Sequence, residues 1–468
     1  MTSDRRTTLG ICLIVGVSFV VGASLTLMLA PMLEALSLDD DDAQTALVLP
    51  AIGSLLVVFV AGHMGDRWGH RRVIIGAGAI FVAGSALVLA GASMPMIASG
   101  LLLAGAAATA IQIVALGLLQ VTFPHGPARI SAFTSFGMVY PAVYLIVPTV
   151  TGLGLQGLPW RAVPCAWALL GLAIPVLALA LLRPPGPRQP FGEPWTLILA
   201  GVALAGIARA LDQARNDGWL SPSTLAAACA ALVALLACVA LVRRLPAPSL
   251  SSAPLRNAAT VLLLASVLVI ALADTLMYIT VALEYVYDLS PLEAALVLVP
   301  AEAAGVLGSK VLAAQLMRRL GGPRAGSVAI AGFTGSLLLL VLARTGSPAW
   351  VVVVGAAAFS AMGGAAITVV NAEVMSMAPP GANGMLSAYR GAASALGSAI
   401  SVLAIGTGIL GVAKLSAGPG RMTTEEVDSV MAGIRAEGWI SALLVLAGWG
   451  AYEAARRRSG WAILDSNQ

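Results

Sequence analysis

Fourteen runs of roughly twenty apolar residues follow one another along this chain, each closed off by charge, proline or glycine. They occupy 9–30, 44–64, 73–92, 95–121, 128–153, 163–182, 194–211, 222–242, 258–284, 291–316, 325–343, 348–370, 384–410 and 438–455. A helix of about twenty residues crosses the ~30 Å hydrocarbon core of a bilayer. The runs do not alternate apolar with polar residues, so helices are favoured over barrel strands. Only 10% of the chain is charged and its mean hydropathy is +0.93, whereas a soluble domain is roughly a quarter charged. The expected fold is an all-α integral membrane protein with 14 transmembrane helices, and a soluble enzyme on a single anchor is excluded.

The loops carry what charge there is. Basic residues divide 17 to 6 in favour of the set that includes both chain ends, which predicts a multi-pass protein of the cell (inner) membrane with both termini cytoplasmic. The same excess produces the pI near 9.0 through topology and anionic headgroups, so the lipid bilayer is the expected partner and no nucleic acid is. Arg5 and Arg6 precede the first run as in a signal sequence, but the run continues into Pro31, Met32 and Leu33 without a small-residue cleavage site and reads as a helix. The longest loop, 411–437, is expected outside the membrane. Its Thr423, Thr424, Glu425 and Glu426 form a helix-start pattern, read as a short amphipathic helix there.

Composition also limits the chemistry. Cys12, Cys165, Cys229 and Cys238 all lie inside apolar runs without a CxxC pair, so neither disulfides nor a metal site is expected. His63, His70 and His125 sit at the ends of runs with no matching nucleophile, so no enzyme is expected. There is no G-x-x-x-x-G-K-[ST] loop and hence no nucleotide partner or direct ATP drive. No cofactor is expected, and a proton gradient is the suspected energy source.

The turn between the second and third runs reads Gly62, His63, Met64, Gly65, Asp66, Arg67, Trp68, Gly69, His70, Arg71, Arg72. Its glycines allow helix ends to approach, Asp66 can sit against a helix N-terminus, and Arg67, Arg71 and Arg72 can reach carboxylates or helix C-termini. Such a turn can act as a breakable electrostatic gate, and the plainer alternative is positive-inside anchoring alone. The pattern resembles the G-x-x-x-D-R-x-G-x-R-R signature of the major facilitator superfamily. A degraded echo runs from Ala314 to Arg324 at an offset of 252 residues, with Arg318 in the acidic place, followed by Arg319, Gly321 and Arg324. Six helices with loops are shorter than that offset, so two extra helices must separate the halves.

Six plus two plus six is similar to the fourteen-helix drug:proton antiporter branch of that superfamily. Trp160 with Arg161, the turn Asp217 to Pro222, the segment Leu289 to Pro300, and Arg390 ahead of Gly397 to Ile400 resemble that branch in order. The resemblance implies a major facilitator fold with an N-terminal six-helix bundle at 1–182, two inserted helices at 183–257, and a C-terminal bundle at 258–468 ending in a cytoplasmic tail. It also implies multidrug efflux by a proton antiporter. Three features depart from the branch. Gly22 stands where an acid precedes Pro31 by nine residues, Leu101 stands where an Arg precedes Gly105 by four, and the fifth run ends Val147 to Gly152 without the Gly-Pro and double Gly.

Coupling chemistry must then come from elsewhere. Ionisable groups deep in a span are costly and face a cavity or partner. Asp274 in the ninth run and Glu302 in the tenth are the proton-coupling candidates, with Asp274 first; a protonated, hydrogen-bonded structural acid is the alternative for Asp274. Lys310, eight residues beyond Glu302, is expected to snorkel towards the cytoplasm. Gln112, Thr134, Tyr140, Tyr144 and Tyr278 are substrate-cavity candidates, with packing as the alternative, and Glu373 and Arg390 are further gate candidates. The function these residues suggest is secondary active export of small amphipathic or cationic compounds. A uniporter, a carrier of lipid-like metabolites, or a non-transporting membrane sensor are the alternatives.

Overall fold

The structure, a computed structural model, describes residues 3–458 except 39, 185, 187, 274–278, 280–282, 284, 285, 288, 290, 343–347 and 410–423. Among the described residues there is no strand. The helices are α1 (Ser3–Leu36), α2 (Asp40–Trp68), α3 (His70–Ala90), α4 (Met94–Thr122), α5 (Gly126–Gly137), α6 (Val139–Leu155), α7 (Ala162–Leu181), α8 (Trp195–Asp217) and α9 (Pro222–Arg244). They continue with α10 (Ala258–Leu272), α11 (Pro291–Leu307), α12 (Ala313–Leu320), α13 (Gly322–Leu340), α14 (Ala349–Ser376), α15 (Asn383–Ile409) and α16 (Thr424–Arg458). Helix lies on each of the fourteen apolar runs. Among the described residues 11 stretches are long and apolar enough to cross a membrane, and the protein is a multi-pass membrane protein. The three other runs carry α10 with 15 residues, α13 with 19 and α15 with 27.

Three runs differ from their simplest reading. The fifth is two helices, α5 and α6, broken at Met138, because Pro141 has no N–H to give to the carbonyl of Gly137. The tenth contains a π-helical turn, Gly308–Leu312, between α11 and α12; at this turn Gly308 lies so close to α14 that a Cβ would overlap the carbonyl oxygen of Ala361. The helix-start pattern at 424 does not make a separate outer helix. Its residues are continuous with the last span in the 35-residue α16, since no proline interrupts the sequence between them.

The chain forms two compact units. The first comprises Met1–Ala132, Ile146–Pro254 and Met375–Ala392. Its helices meet through small residues, as lipid-embedded helices do when no hydrophobic drive separates lipid from leucine. A Cβ at Gly105 of α4 would overlap the backbone of Pro50 in α2, and one at Gly53 the carbonyl of Leu102. Polar ties add to this: Trp167 Nε1 donates to Ser24 Oγ at 2.9 Å and Gln112 Nε2 to Ser18 Oγ at 3.2 Å. The α8–α9 turn is built by local chemistry. Gly218 adopts φ 93°, Ser221 caps α9 by accepting from Thr224 N–H, and Pro222 follows it.

The second unit comprises Phe133–Leu145, Leu255–Val374 and Ala393–Gln468. Here α10 packs on α16, where Ser266 Oγ donates to the carbonyl of Gly448 at 2.9 Å, and on α15, where Gly397 abuts the carbonyl of Leu268. Helix α13 meets α16 through Trp449 Nε1, which donates to Ser327 Oγ at 2.8 Å.

Candidate functional site

The α2–α3 turn is the best-defined constellation. Gly69 has φ 90° and ψ 133°, a conformation open to glycine and costly for other residues, and it lets α3 start one residue after α2 stops. Asp66, in the last turn of α2, faces the N-terminus of α15. Its Oδ1 accepts from Gly384 N–H at 2.7 Å and its Oδ2 from Met385 N–H at 2.9 Å. These N–H groups are among those a helix cannot satisfy by itself, and they lie at the positive end of its dipole. Gly62 makes this seat possible: a Cβ there would overlap the carbonyl of Gly384, and a Cβ at Gly384 would overlap that of Gly62. Gly65 faces Val114 and the His70 ring, with room for ordinary contact.

The three arginines bind carbonyls rather than carboxylates. Arg71 Nη2 donates to the carbonyl of Leu179 at 3.0 Å, in the last turn of α7, where a cation complements the helix dipole. Arg72 Nη1 donates to Trp68 O at 3.0 Å and to Gly186 O at 2.9 Å, and Arg67 Nη1 donates to Gln189 Oε1 at 3.1 Å. Gly186 and Gln189 belong to the linker before α8.

The echo in the other half of the sequence repeats the backbone and loses the acid. Gly321, 252 residues after Gly69, has φ 74° and ψ 160° and likewise separates a helix from the next. Arg318, in the place of Asp66, is exposed, as are Arg319 and Arg324. Glu373 of α14 is 5% exposed, and its carboxylate occupies the space where a side chain on Gly322 would stand. The buried acid therefore approaches the start of α13 from another helix. Arg390 lies half-buried on α15.

The cavity candidates are dispersed. Gln112 is committed to Ser18, Thr134 is buried, and Tyr140 stacks on Tyr144 with ring centroids 4.4 Å apart. Glu302 is half-buried on α11. Asp274 and Tyr278 lie outside the described residues. Lys310, on the π turn, donates from Nζ to Ser135 Oγ of α5, so its ammonium is engaged by protein where snorkelling towards the cytoplasm was expected. Among the described residues no group of three or more His, Cys, Asp or Glu side chains is arranged to hold a metal ion. A groove of about 440 Å³ between α8 and α9 is lined by apolar side chains such as Ile207, Leu211 and Leu232, with Thr224, and offers a charged cargo no counter-charge.

Sequence reasoning missed two positions. Arg161 donates to the carbonyls of Leu89 at 3.3 Å and Gly91 at 3.0 Å, closing the C-terminus of α3, and its guanidinium lies 4.6 Å from the centroid of the Trp160 ring. Glu193, ahead of α8, ties together the linkers that flank the inserted helices. The first had a signal in the Trp-Arg pair, read without this role; the second had none, because the partner that ties the linkers, Ser249, is 56 residues away.

Residues 11–402 match the family model described as the Major Facilitator Superfamily. The chain is 30% identical over 203 residues to the MFS-type transporter EfpA of Mycobacterium tuberculosis, covering 42% of this chain and 36% of that protein. It is 32% identical over 181 residues to the tetracenomycin C resistance and export protein of Streptomyces glaucescens, covering 38% of this chain and 33% of that protein. Each match thus spans about a third of the relative's length. In fold it is similar to the crystal structure of the human organic anion transporter MFSD10 (TETRAN), with TM-score 0.66 at 13% identity, covering 97% of this chain and 100% of that one.

Proposed function

The chain belongs to the Major Facilitator Superfamily, and from that premise we propose that it is a secondary active transporter, not an enzyme, exporting small amphipathic or cationic organic compounds across the cell membrane. The observation that carries the reading is the seat of Asp66 on α15. It joins a turn in the first half of the sequence to a helix in the second by two charge-assisted hydrogen bonds and no covalent link. Such bonds are worth about 1.5–3 kcal/mol each, enough to favour one state and weak enough to break in each cycle. Gly62, Gly65, Asp66, Arg67, Gly69, Arg71 and Arg72 form the cytoplasmic gate. The echo at Arg318, Arg319, Gly321 and Arg324, which lacks the acid, completes it with Glu373 and Arg390.

In this reading all fourteen apolar runs cross the membrane with both termini cytoplasmic, and the bundles at 1–182 and 258–468 alternate access around the inserted pair at 183–257. The small-molecule cargo binds between the bundles near Gln112, Thr134, Tyr140, Tyr144 and Tyr278. Asp274 and Glu302 exchange the coupling proton. Export is supported by the name of the Streptomyces relative, a resistance and export protein. The test is uptake of fluorescent lipophilic cations and neutral dyes into liposomes holding the purified protein under a pH gradient, with Asp274→Asn beside the parent. Gradient-driven uptake that the substitution abolishes is expected. Flux indifferent to both gradient and substitution would make the protein a uniporter, and no flux of any dye would overturn broad export.

A further inference from the structure

The two linkers that join the inserted helices to the rest of the chain are tied to each other. Glu193 Oε2 accepts from Thr196 N–H at 3.0 Å and Oε1 accepts from Ser249 N–H at 2.8 Å. The Thr196 hydroxyl also donates to Oε1, while its oxygen accepts from Leu250 N–H at 3.1 Å. Thr196 and Ser249 are 0% and 6% exposed, and the Glu193 side chain that joins them is half-buried. A carboxylate that holds its own neighbour Thr196 N–H and the N–H of Ser249, 56 residues further on, fixes 193 and 249 as one piece.

From that piece contacts run in two directions. Towards the α2–α3 turn, Gln189 N–H donates to Arg67 O at 2.8 Å, His63 Nε2 donates to Phe191 O, and the Phe191 ring lies between those of His63 and Trp68, at 4.9 and 5.4 Å. Towards α15, the Tyr389 hydroxyl donates to Ser251 O at 3.1 Å. Leu197 of α8 and Cys238 of α9 share one buried cluster with Val58 of α2 and with Met385 and Ala388 of α15. The linkers thus grip both sides of the contact that Asp66 makes.

We propose that the inserted helix pair is a clasp on the gate: Glu193 knots its linkers, and the knotted linkers hold α2 and the start of α15 at the spacing that seats Asp66. Glu193 is a positioning residue, acting through His63 and Tyr389 on a bond it does not itself make. The consequence for transport rests on the carrier reading above, but the clasp itself does not.

The experiment is hydrogen–deuterium exchange of the full-length protein in lipid discs, resolved to the amides of Gly384 and Met385. Glu193→Ala is expected to speed their exchange about tenfold or more, the loss of a charged hydrogen-bond acceptor being worth that much, with Glu193→Gln in between. Tyr389→Phe, which removes one oxygen and should fold in any case, is expected to speed it about fivefold. Ser223→Ala cuts the bond to Asp217 at the opposite end of the inserted pair and should leave both amides at the parent rate. Faster exchange confined to Thr196, Ser249 and Leu250 would overturn the proposal, as would an unchanged rate in Tyr389→Phe. No cargo is needed, so a protein that moves no dye can still show the clasp, and unchanged exchange removes the clasp while leaving the carrier reading standing.

Discussion

At the scale of single residues, Asp66 and Glu193 do similar work with different visibility in the sequence. Both are carboxylates that accept from two backbone N–H groups. Asp66 could be read because its turn is local: glycines at 62, 65 and 69 let a helix end approach, and an acid among them can sit against it. Glu193 could not, since it lies in an ordinary proline-rich linker and one of its partners is in the next one. Glu193 also lies outside the spans, ahead of α8. Burial pushes its carboxyl up, but the Thr196 hydroxyl and the N–H groups of Thr196, Ser249 and Trp195 outweigh burial and hold it below the ordinary 4.5. A depressed pKa contributes stability that is fully present above the unfolded value and lost as pH falls through the folded one. The apparent unfolding temperature of the parent should therefore exceed that of Glu193→Gln at pH 6–7, with the gap closing below about pH 4. A gap that stays constant down to pH 3 would show that shape, not charge, holds the linkers.

Helices reveal how far apolar patterning goes and where it stops. Length and hydropathy locate all fourteen runs, and Pro141 marks the break between α5 and α6. Patterning does not reveal that residues from 424 onward join α16, because a helix-start motif says where a helix can begin and nothing about whether it then continues into the bilayer. Nor does it reveal the π turn at Gly308–Leu312, which coincides with a close approach to Ala361 on α14. The α2–α15 crossing is such an approach too, and it can be tested. A Cβ on Gly62 would overlap the carbonyl of Gly384, and overpacking of this kind costs about 1–3 kcal/mol. Separating the helices by even 1 Å would also stretch the Asp66 bonds beyond about 3.2 Å. Gly62→Val is expected to slow the initial rate of dye transport about tenfold or more while leaving the protein folded in detergent, whereas Gly76→Ala, on α3 with nothing near it, should transport as the parent does. Full transport by Gly62→Val would mean that the crossing is not visited in the working cycle.

For the whole molecule, the sequence carries its own duplication, and the two copies show what each half retains. At an offset of 252 residues Gly69 and Gly321 hold the same kind of backbone, while the acid of the first copy has become the exposed Arg318. Backbone geometry is retained where a turn between two helices must be tight, and the acid is not. The missing acid at Gly22 poses the same question for coupling, with Asp274 and Glu302 proposed to supply from the second half what the first lacks. Thermodynamics gives that question a number. One pH unit is worth about 1.4 kcal/mol per proton, or tenfold in concentration. With membrane potential clamped at zero, exchange of one proton per neutral cargo molecule should concentrate cargo about tenfold across one pH unit, and exchange of two about a hundredfold. The plateau ratio measured against gradients of 0.5, 1 and 1.5 units gives the stoichiometry from the slope of its logarithm. If both acids handle the same proton, as proposed, Asp274→Asn and Glu302→Gln each take a slope of one to zero; if each carries its own, each lowers a slope of two to one, and if only one acts, the slope falls in its variant alone. A parent slope of zero with rapid equilibration would remove the proton from the mechanism and leave a facilitator whose direction is set by the cargo alone.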